Sequence, residues 1–141
     1  MERTYTTPLL DKLGVRPGMR VAIVGALHED GETIEAADFR SGLADRTSDI
    51  RDGPPAPDTD LVFLAADTTD ELTALASLRP RIRPNGAIWV VSRKGKAATL
   101  RDVEVISAAR DHDLIDNKVV AFSPSRTALR LVIPVALRPR G

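Results

Sequence analysis

Cysteine is absent from the 141 residues, which excludes disulfides, thiolate metal sites, iron–sulfur clusters and thiol nucleophiles together. Aromatics are scarce. Tyr5, Phe39, Phe63, Trp89 and Phe122 are the whole set, and none is interleaved with basic residues as a base-stacking surface requires, so no nucleic-acid partner is expected. The two histidines, His28 and His112, share no metal-ligand spacing, so no zinc site is expected. No segment matches G-x-x-x-x-G-K-[ST], which excludes a Walker-type phosphate loop. The longest apolar runs, such as Val21–Leu27, fall far short of the roughly 20 residues that cross a bilayer. The opening residues Met1–Tyr5 form no apolar signal core, so the expected compartment is the cytoplasm, with no membrane partner.

Net charge is also missing: twenty Lys+Arg balance twenty Asp+Glu, and the isoelectric point is about 6.7. The balance conceals polarity along the chain. Residues 28–71 hold thirteen acidic and three basic side chains, net −10, whereas residues 79–141 hold thirteen basic and five acidic ones, net +8. Arg79, Arg81, Arg83, Arg126, Arg138 and Arg140 are spread over helix ends and turns, which reads as solvated surface rather than a nucleic-acid footprint. One domain, 1–141, is expected, large enough to bury roughly two-thirds of its unfolded surface.

What is present is an alternation of apolar strands and amphipathic helices. Thr7 and Pro8 suit the start of a short helix, and Gly14 its end. Pro17-Gly18 turns the chain into Arg20–Gly25, an apolar run that does not alternate and so reads as a strand buried on both faces. Residues 29–39, with Ile34, Ala37 and Phe39 among acids, read as a helix, and 43–48 as a weak strand. Asp52-Gly-Pro-Pro-Ala-Pro-Asp58 is too rich in proline for a regular element. Asp60–Ala66 is a second buried strand. After it, Thr68 and Glu71 have capping-box spacing, and Leu72, Leu75 and Ala76 predict the buried stripe of a helix ending near Pro80. Arg83-Pro-Asn-Gly86 predicts a turn into a third strand, Ala87–Val91, in which Trp89 is expected in the core with its indole N–H partnered. Thr99 is placed to cap a helix carrying Val103, Ile106 and Ala109. The runs Leu114–Phe122 and Ala128–Val135, joined by a short link, must be antiparallel. The fold class is therefore α/β: a doubly wound, mostly parallel sheet with a C-terminal antiparallel hairpin.

Arg16-Pro-Gly-Met-Arg-Val-Ala-Ile-Val-Gly25 resembles the entry to the first strand of class I S-adenosylmethionine-dependent methyltransferases. Asp60–Ala66 and Pro84–Val90 resemble the fourth and fifth strands of that fold, and the terminal hairpin its sixth and seventh. More narrowly, Thr7–Gly14, Gly86–Val91 with the basic loop after it, and Leu114–Val119 with Leu129–Val132 resemble a family of small, uncharacterised bacterial domains with a methyltransferase-like sheet. The resemblance implies a cofactor edge at Gly25, Ala26 and Asp67, with Asp45 or Asp49 holding the ribose hydroxyls at the end of the second strand.

The sequence also departs from the methyltransferase pattern. Ile23 stands where an acid is usual, Leu27 at the second glycine position and Glu29 at the third. Only 32 residues separate Leu27 from Asp60, where a full fold needs two strands and two helices, so the first half is expected to be shortened. S-adenosylmethionine is accordingly disfavoured as a cofactor.

Ligands of open α/β sheets bind beyond the carboxyl ends of the strands. There His28, Ser92, Lys94 and Lys96 are candidates for holding a ligand or an anion, the last two flanking a glycine in Arg93-Lys-Gly-Lys96. The plainer readings are a solvated loop for the lysines and helix capping for Asp67. The expected function is a catalytically degenerate domain that binds a small ligand or a protein partner. The alternative is a methyltransferase with an atypical cofactor site, and a third reading is an interaction module that dimerises through the terminal hairpin or an exposed apolar edge.

Overall fold

The computed structural model describes residues 6–25 and 33–138. Three apolar strands set the frame: β1 (Val21–Val24), β3 (Thr59–Ala65) and the long β4 (Ile82–Arg93). β2 (Ile50–Asp52), β5 (Ile115–Ala121) and β6 (Arg126–Val132) complete a six-stranded sheet of order β2-β1-β3-β4-β6-β5. The first four strands are parallel neighbours, and β6 joins β4 antiparallel and carries β5 as the outer arm of a hairpin. The expected mixed sheet and terminal hairpin are thus present.

Because successive side chains of a strand point to opposite faces, continuous apolar strands need cover on both sides. On the first face α1 (Thr6–Lys12) and α2 (Thr33–Arg46) bring Leu10, Leu13, Phe39 and Leu43 onto Ile23, Phe63, Trp89 and Val91. Trp89 is fully buried there and donates its indole N–H to the carbonyl of Leu13 at 3.1 Å, so α1 is tied to the middle of the sheet. Phe39 meets Phe63 and Phe122 edge-on, at 5.1 and 4.9 Å between ring centroids. On the second face, α3 (Leu75–Leu78) lies between 3₁₀ turns at Glu71–Ala74 and Arg79–Arg81, and α4 (Asp102–Asp111) follows the basic loop. They cover Val62, Leu64, Ile88, Val90, Leu129 and Leu131.

Several local expectations are corrected. Residues 43–46 are not a strand but the last turn of α2, because Phe39 and Leu43, one turn apart, bury the same side; the strand is Ile50–Asp52. Past the Thr68–Glu71 box the buried stripe is Leu72, Leu75 and Leu78, while Ala76 is exposed. A spacing of three keeps side chains on one side through both the 3₁₀ turn Glu71–Ala74 and the single turn of α3. The turn read at Arg83–Gly86 is part of β4 itself. α4 begins at Asp102 with Glu104 accepting the N–H of Arg101 at 2.9 Å, and Thr99 bonds elsewhere. Val105 and Ala109 are its buried residues, and Val103 is 58% exposed. Ile34 and Ala37 lie outside the side chains described.

The first half is shortened as expected. Of the two strands and two helices a full fold places between Leu27 and Asp60, the described residues hold α2 and β2 alone, and the chain passes from Asp52 to β3 through residues 53–58.

β4 enters the sheet under a tight constraint. A Cβ on Gly86 would stand 2.8 Å from the carbonyl oxygen of Asp60 and 3.2 Å from those of Arg83 and Thr59. All three are backbone atoms, next to the irregularity in the β3–β4 register between Thr59 and Leu61, so no side chain can move aside. Gly86→Ala is expected to lower stability by about 1–3 kcal/mol, read as a fall in the urea midpoint with an unchanged slope. A midpoint equal to that of the parent would show that β4 has room the geometry denies.

Candidate functional site

The carboxyl ends of the parallel strands form one edge of the sheet. β1 ends there at Val24 and Gly25, β2 at Asp52, β3 runs into Ala66 and Asp67, and β4 ends at Ser92 and Arg93. Gly25 has φ +86°, and a Cβ there would lie 3.1 Å from the carbonyl oxygen of Ala65, so glycine is required by the neighbouring strand whether or not a ligand binds. Ala26 and His28, with Leu27 and Glu29, lie outside the described residues.

Asp67 is the best-connected residue of this edge. Its Oδ1 accepts the backbone N–H of Arg93 at 2.8 Å, and its Oδ2 is 3.7 Å from Arg93 Nε and 3.9 Å from Arg126 Nη1. Its backbone carbonyl accepts the hydroxyl of Thr99 at 2.6 Å, and its N–H donates to Glu71 Oε1 at 2.7 Å. The capping reading is therefore corrected: Thr68 Oγ1 receives the N–H of Glu71, and Asp67 faces away, across the strand ends. Arg126 opposes Arg93 in the β4–β6 register, and its side chain is only 1% exposed. Two guanidinium groups thus share this carboxylate, and the loop after β3, the end of β4 and the start of β6 are joined through it.

A second carboxylate stands at the end of β2, but it is neither Asp45 nor Asp49. Asp45 sits exposed on the last turn of α2, and Asp49 precedes β2 and accepts Arg20 Nε at 3.0 Å. The strand ends instead at Asp52, whose two oxygens each accept a hydrogen bond from Arg40 of α2 at 2.5 Å. The bidentate bond to Arg40 holds the Asp52 carboxyl below its usual range, and the same bond raises Arg40. Asp52 escaped notice because Gly53-Pro54 follows it and makes it look like the start of a loop. Arg126, read with the solvated arginines of helix ends and turns, is instead buried at the start of β6, and nothing in its neighbourhood in the sequence marks a buried cation.

Ser92 is buried at 3% exposure, opposite Thr127. Lys94 is partly exposed, with its N–H on the carbonyl of Ser125 at 3.0 Å, and Lys96 is exposed within the 3₁₀ turn Gly95–Ala97. The structure therefore brings Asp67, Ser92 and Lys94 to one edge while withdrawing Ser92 from solvent and leaving Lys96 outside.

An open cleft of about 520 Å³ lies between the Glu71–Ala74 turn and α4, bordered by Leu72, Val103, Ser107 and His112, with no residue of β1 or β2 lining it. Among the described residues, no group of three His, Asp or Glu side chains could hold a metal ion. No helix among them is long and apolar enough to cross a membrane.

The chain has a class I methyltransferase-like fold. An S-adenosylmethionine-dependent methyltransferase from Aquifex aeolicus superposes with TM-score 0.61 at 13% identity, over 92% of this chain and 90% of that one. Magnesium protoporphyrin IX methyltransferase from Synechocystis PCC 6803, solved with bound S-adenosylmethionine, superposes with TM-score 0.57 at 9% identity, over 92% and 76%. The mitomycin 7-O-methyltransferase MmcR gives TM-score 0.53 at 13% identity over 82% of this chain, which spans about half of that enzyme, 49%. No family model and no curated protein sequence matches the chain. At these identities the likeness is one of fold.

Two outcomes follow from the geometry of this edge. Asp67→Ala leaves the buried Arg126 without this carboxylate and is expected to cost about 3 kcal/mol, whereas Lys94→Ala with Lys96→Ala stays within about 0.5 kcal/mol of the parent; thermal unfolding of both proteins checks the contrast. A double-mutant cycle on Arg40 and Asp52 is expected to give under about 1 kcal/mol, because both side chains are largely exposed. Since folding lowers the pKa of Asp52, that coupling is complete above the unfolded carboxylate pKa of about 4 and fades as pH falls through the folded value. Coupling that instead grew in acid would contradict the pairing.

Proposed function

We propose that this chain is a single methyltransferase-like domain that lacks the family's methyl-donor pocket and instead binds a small ligand or a protein partner. The observation that carries this reading is the passage from β2 to β3. β2 is the outermost strand on its side, and only residues 53–58 follow before β3 begins. A nucleoside laid past Asp52 would have no further strand or helix among the described residues to shield it. Methyl transfer depends on holding two reactants in register and keeping water out, and both need such walls. The two carboxylates of this edge are also engaged already, Asp52 with Arg40 and Asp67 with Arg93 and Arg126.

One observation favours the second reading, a methyltransferase with an atypical site. Asp52 stands at the end of β2, where the family resemblance puts the residue that holds the ribose. An exposed ion pair costs at most about 1 kcal/mol to open, so a donor could displace Arg40.

Calorimetry with S-adenosylmethionine and S-adenosylhomocysteine separates the two. The first reading expects no saturable heat. A dissociation constant below about 100 µM, roughly −5.5 kcal/mol, overturns it. Arg40→Ala frees Asp52 and is expected to gain no affinity, because the missing wall remains missing. A gain of tenfold or more in that variant would show that the ion pair was the barrier, in favour of the second reading.

A further inference from the structure

α4 presents two flanks with different tasks. Val105 and Ala109 are turned inward and buried on the second face of the sheet, whereas Glu104, Ser107, Ala108 and Asp111, spaced by three and four residues, share the flank that borders the open cleft. α4 has ten residues and so runs about 15 Å. The wall facing it is only the 3₁₀ turn Glu71–Ala74, and a space of about 520 Å³ is left between them. Its apolar ground is Leu72, which is buried, and Val103, which is 58% exposed.

Unlike the carboxylates of the carboxyl edge, most polar groups of this cleft are uncommitted. The side chains of Thr69, Ser107, Asp111 and His112 make no hydrogen bond and no ion pair among the described residues. At the start of α4, Glu104 Oε1 accepts the N–H of Arg101 and lies 3.7 Å from Arg101 Nε. Opposite charges stand together there, so that end selects neither a cation nor an anion. No Phe, Tyr or Trp lines the cleft, and a nucleobase finds no such ring to stack on. What remains is two hydroxyls and an imidazole, which both donate and accept, beside a carboxylate that accepts only. Neighbouring hydroxyls on a carbon ring answer each of these groups. Two of them donate to one carboxylate, the others exchange hydrogen bonds with Thr69, Ser107 and His112, and the C–H face of the ring covers the apolar ground.

We propose that this cleft binds a neutral polyhydroxylated ring, a small sugar or cyclitol, held by Thr69, Ser107, Asp111 and His112 over Leu72 and Val103. The site gives a place to the small-ligand binding proposed above and rests on that reading. Neither Gly25, Asp52, Asp67 nor Arg93 lines it, so a methyl donor seated at the carboxyl edge would leave the cleft as it is.

The test follows the backbone amide spectrum of the whole chain during titration with glucose, ribose and myo-inositol, and with ethylene glycol at matched hydroxyl concentration. At least one of the three rings is expected to give saturable shifts centred on residues 69–73 and 101–112, with a dissociation constant on the order of 1 mM. Ethylene glycol is expected to give only small shifts that grow linearly. Ser107→Ala and Asp111→Asn, both at exposed positions, are each expected to weaken binding about tenfold, the loss of one hydrogen bond. Lys94→Gln with Lys96→Gln leaves binding unchanged. Should Asp111→Asn disturb the end of α4, Ser107→Ala decides alone. Titrating the same sample with S-adenosylmethionine keeps the two readings apart: saturable shifts at Gly25, Asp52 and Asp67 would sink the reading of a lost donor pocket while the response of the cleft to sugars stays. Saturation by none of the three rings, shifts centred elsewhere, a response shared with ethylene glycol, or undiminished binding by Ser107→Ala would each overturn the proposal.

Discussion

Both faces of the β3–β4 ribbon must be kept from water, and the rest of the molecule is arranged around that requirement. Phe63, Ile88, Trp89 and Val91 have no exposed surface at all. Parallel strands can be linked only by crossovers that lie over a face of the sheet, so burial on both sides and the doubly wound order are one constraint seen twice. Trp89 shows how demanding this is. Its ring needs α1 above it, and its N–H, closed off from solvent, needs an acceptor, which Leu13 just past the end of α1 supplies through its carbonyl. Gly86 carries the same requirement to the entrance of the strand, where three backbone carbonyls leave no room for a side chain.

At the other end of the ribbon the chemistry changes from packing to charge. The loop after β3, the end of β4 and the start of β6 converge at Asp67, and one carboxylate holds them through a backbone N–H and two guanidinium groups. In the fold this chain shares, that edge is where ligands bind, yet here its acidic groups serve the protein itself. Asp52 repeats the pattern on a smaller scale with Arg40. Both carboxylates act in this chain as fasteners between elements.

The strands were the most legible part of the sequence, because unbroken apolar runs such as Leu61–Ala66 and Ala87–Val91 have few alternatives to a doubly buried β-strand. The hairpin was legible from the brevity of its link, and the shortened first half from simple distance along the chain. Helix detail was harder. Leu72, Leu75 and Leu78 repeat every third residue through a 3₁₀ turn and the short α3, and reading one continuous α-helix puts Ala76 in the place of Leu78. The segment 43–48 misled because Leu43 continues the buried stripe of a helix whose start is acidic and weakly apolar. Site residues were least legible. The roles of Asp67, Asp52 and Arg126 come from partners 26 or more residues away for Asp67 and from the neighbouring helix for Asp52, so no local spacing announces them.

The strand order has an electrical consequence. Among the described residues the acid-rich segment supplies α2, β2 and β3, and the base-rich segment β4, β6 and β5, so the two populations occupy opposite halves of one sheet. The sequence is neutral overall, yet its charge is divided along the sheet plane, positive on the β5 half and negative on the β2 half. Near the isoelectric point, with no net repulsion to keep copies apart, molecules divided in this way align head to tail and draw together. Dissolved salt weakens that attraction over a Debye length of about 8–10 Å, so near neutral pH this chain should be more soluble in saline than in dilute buffer.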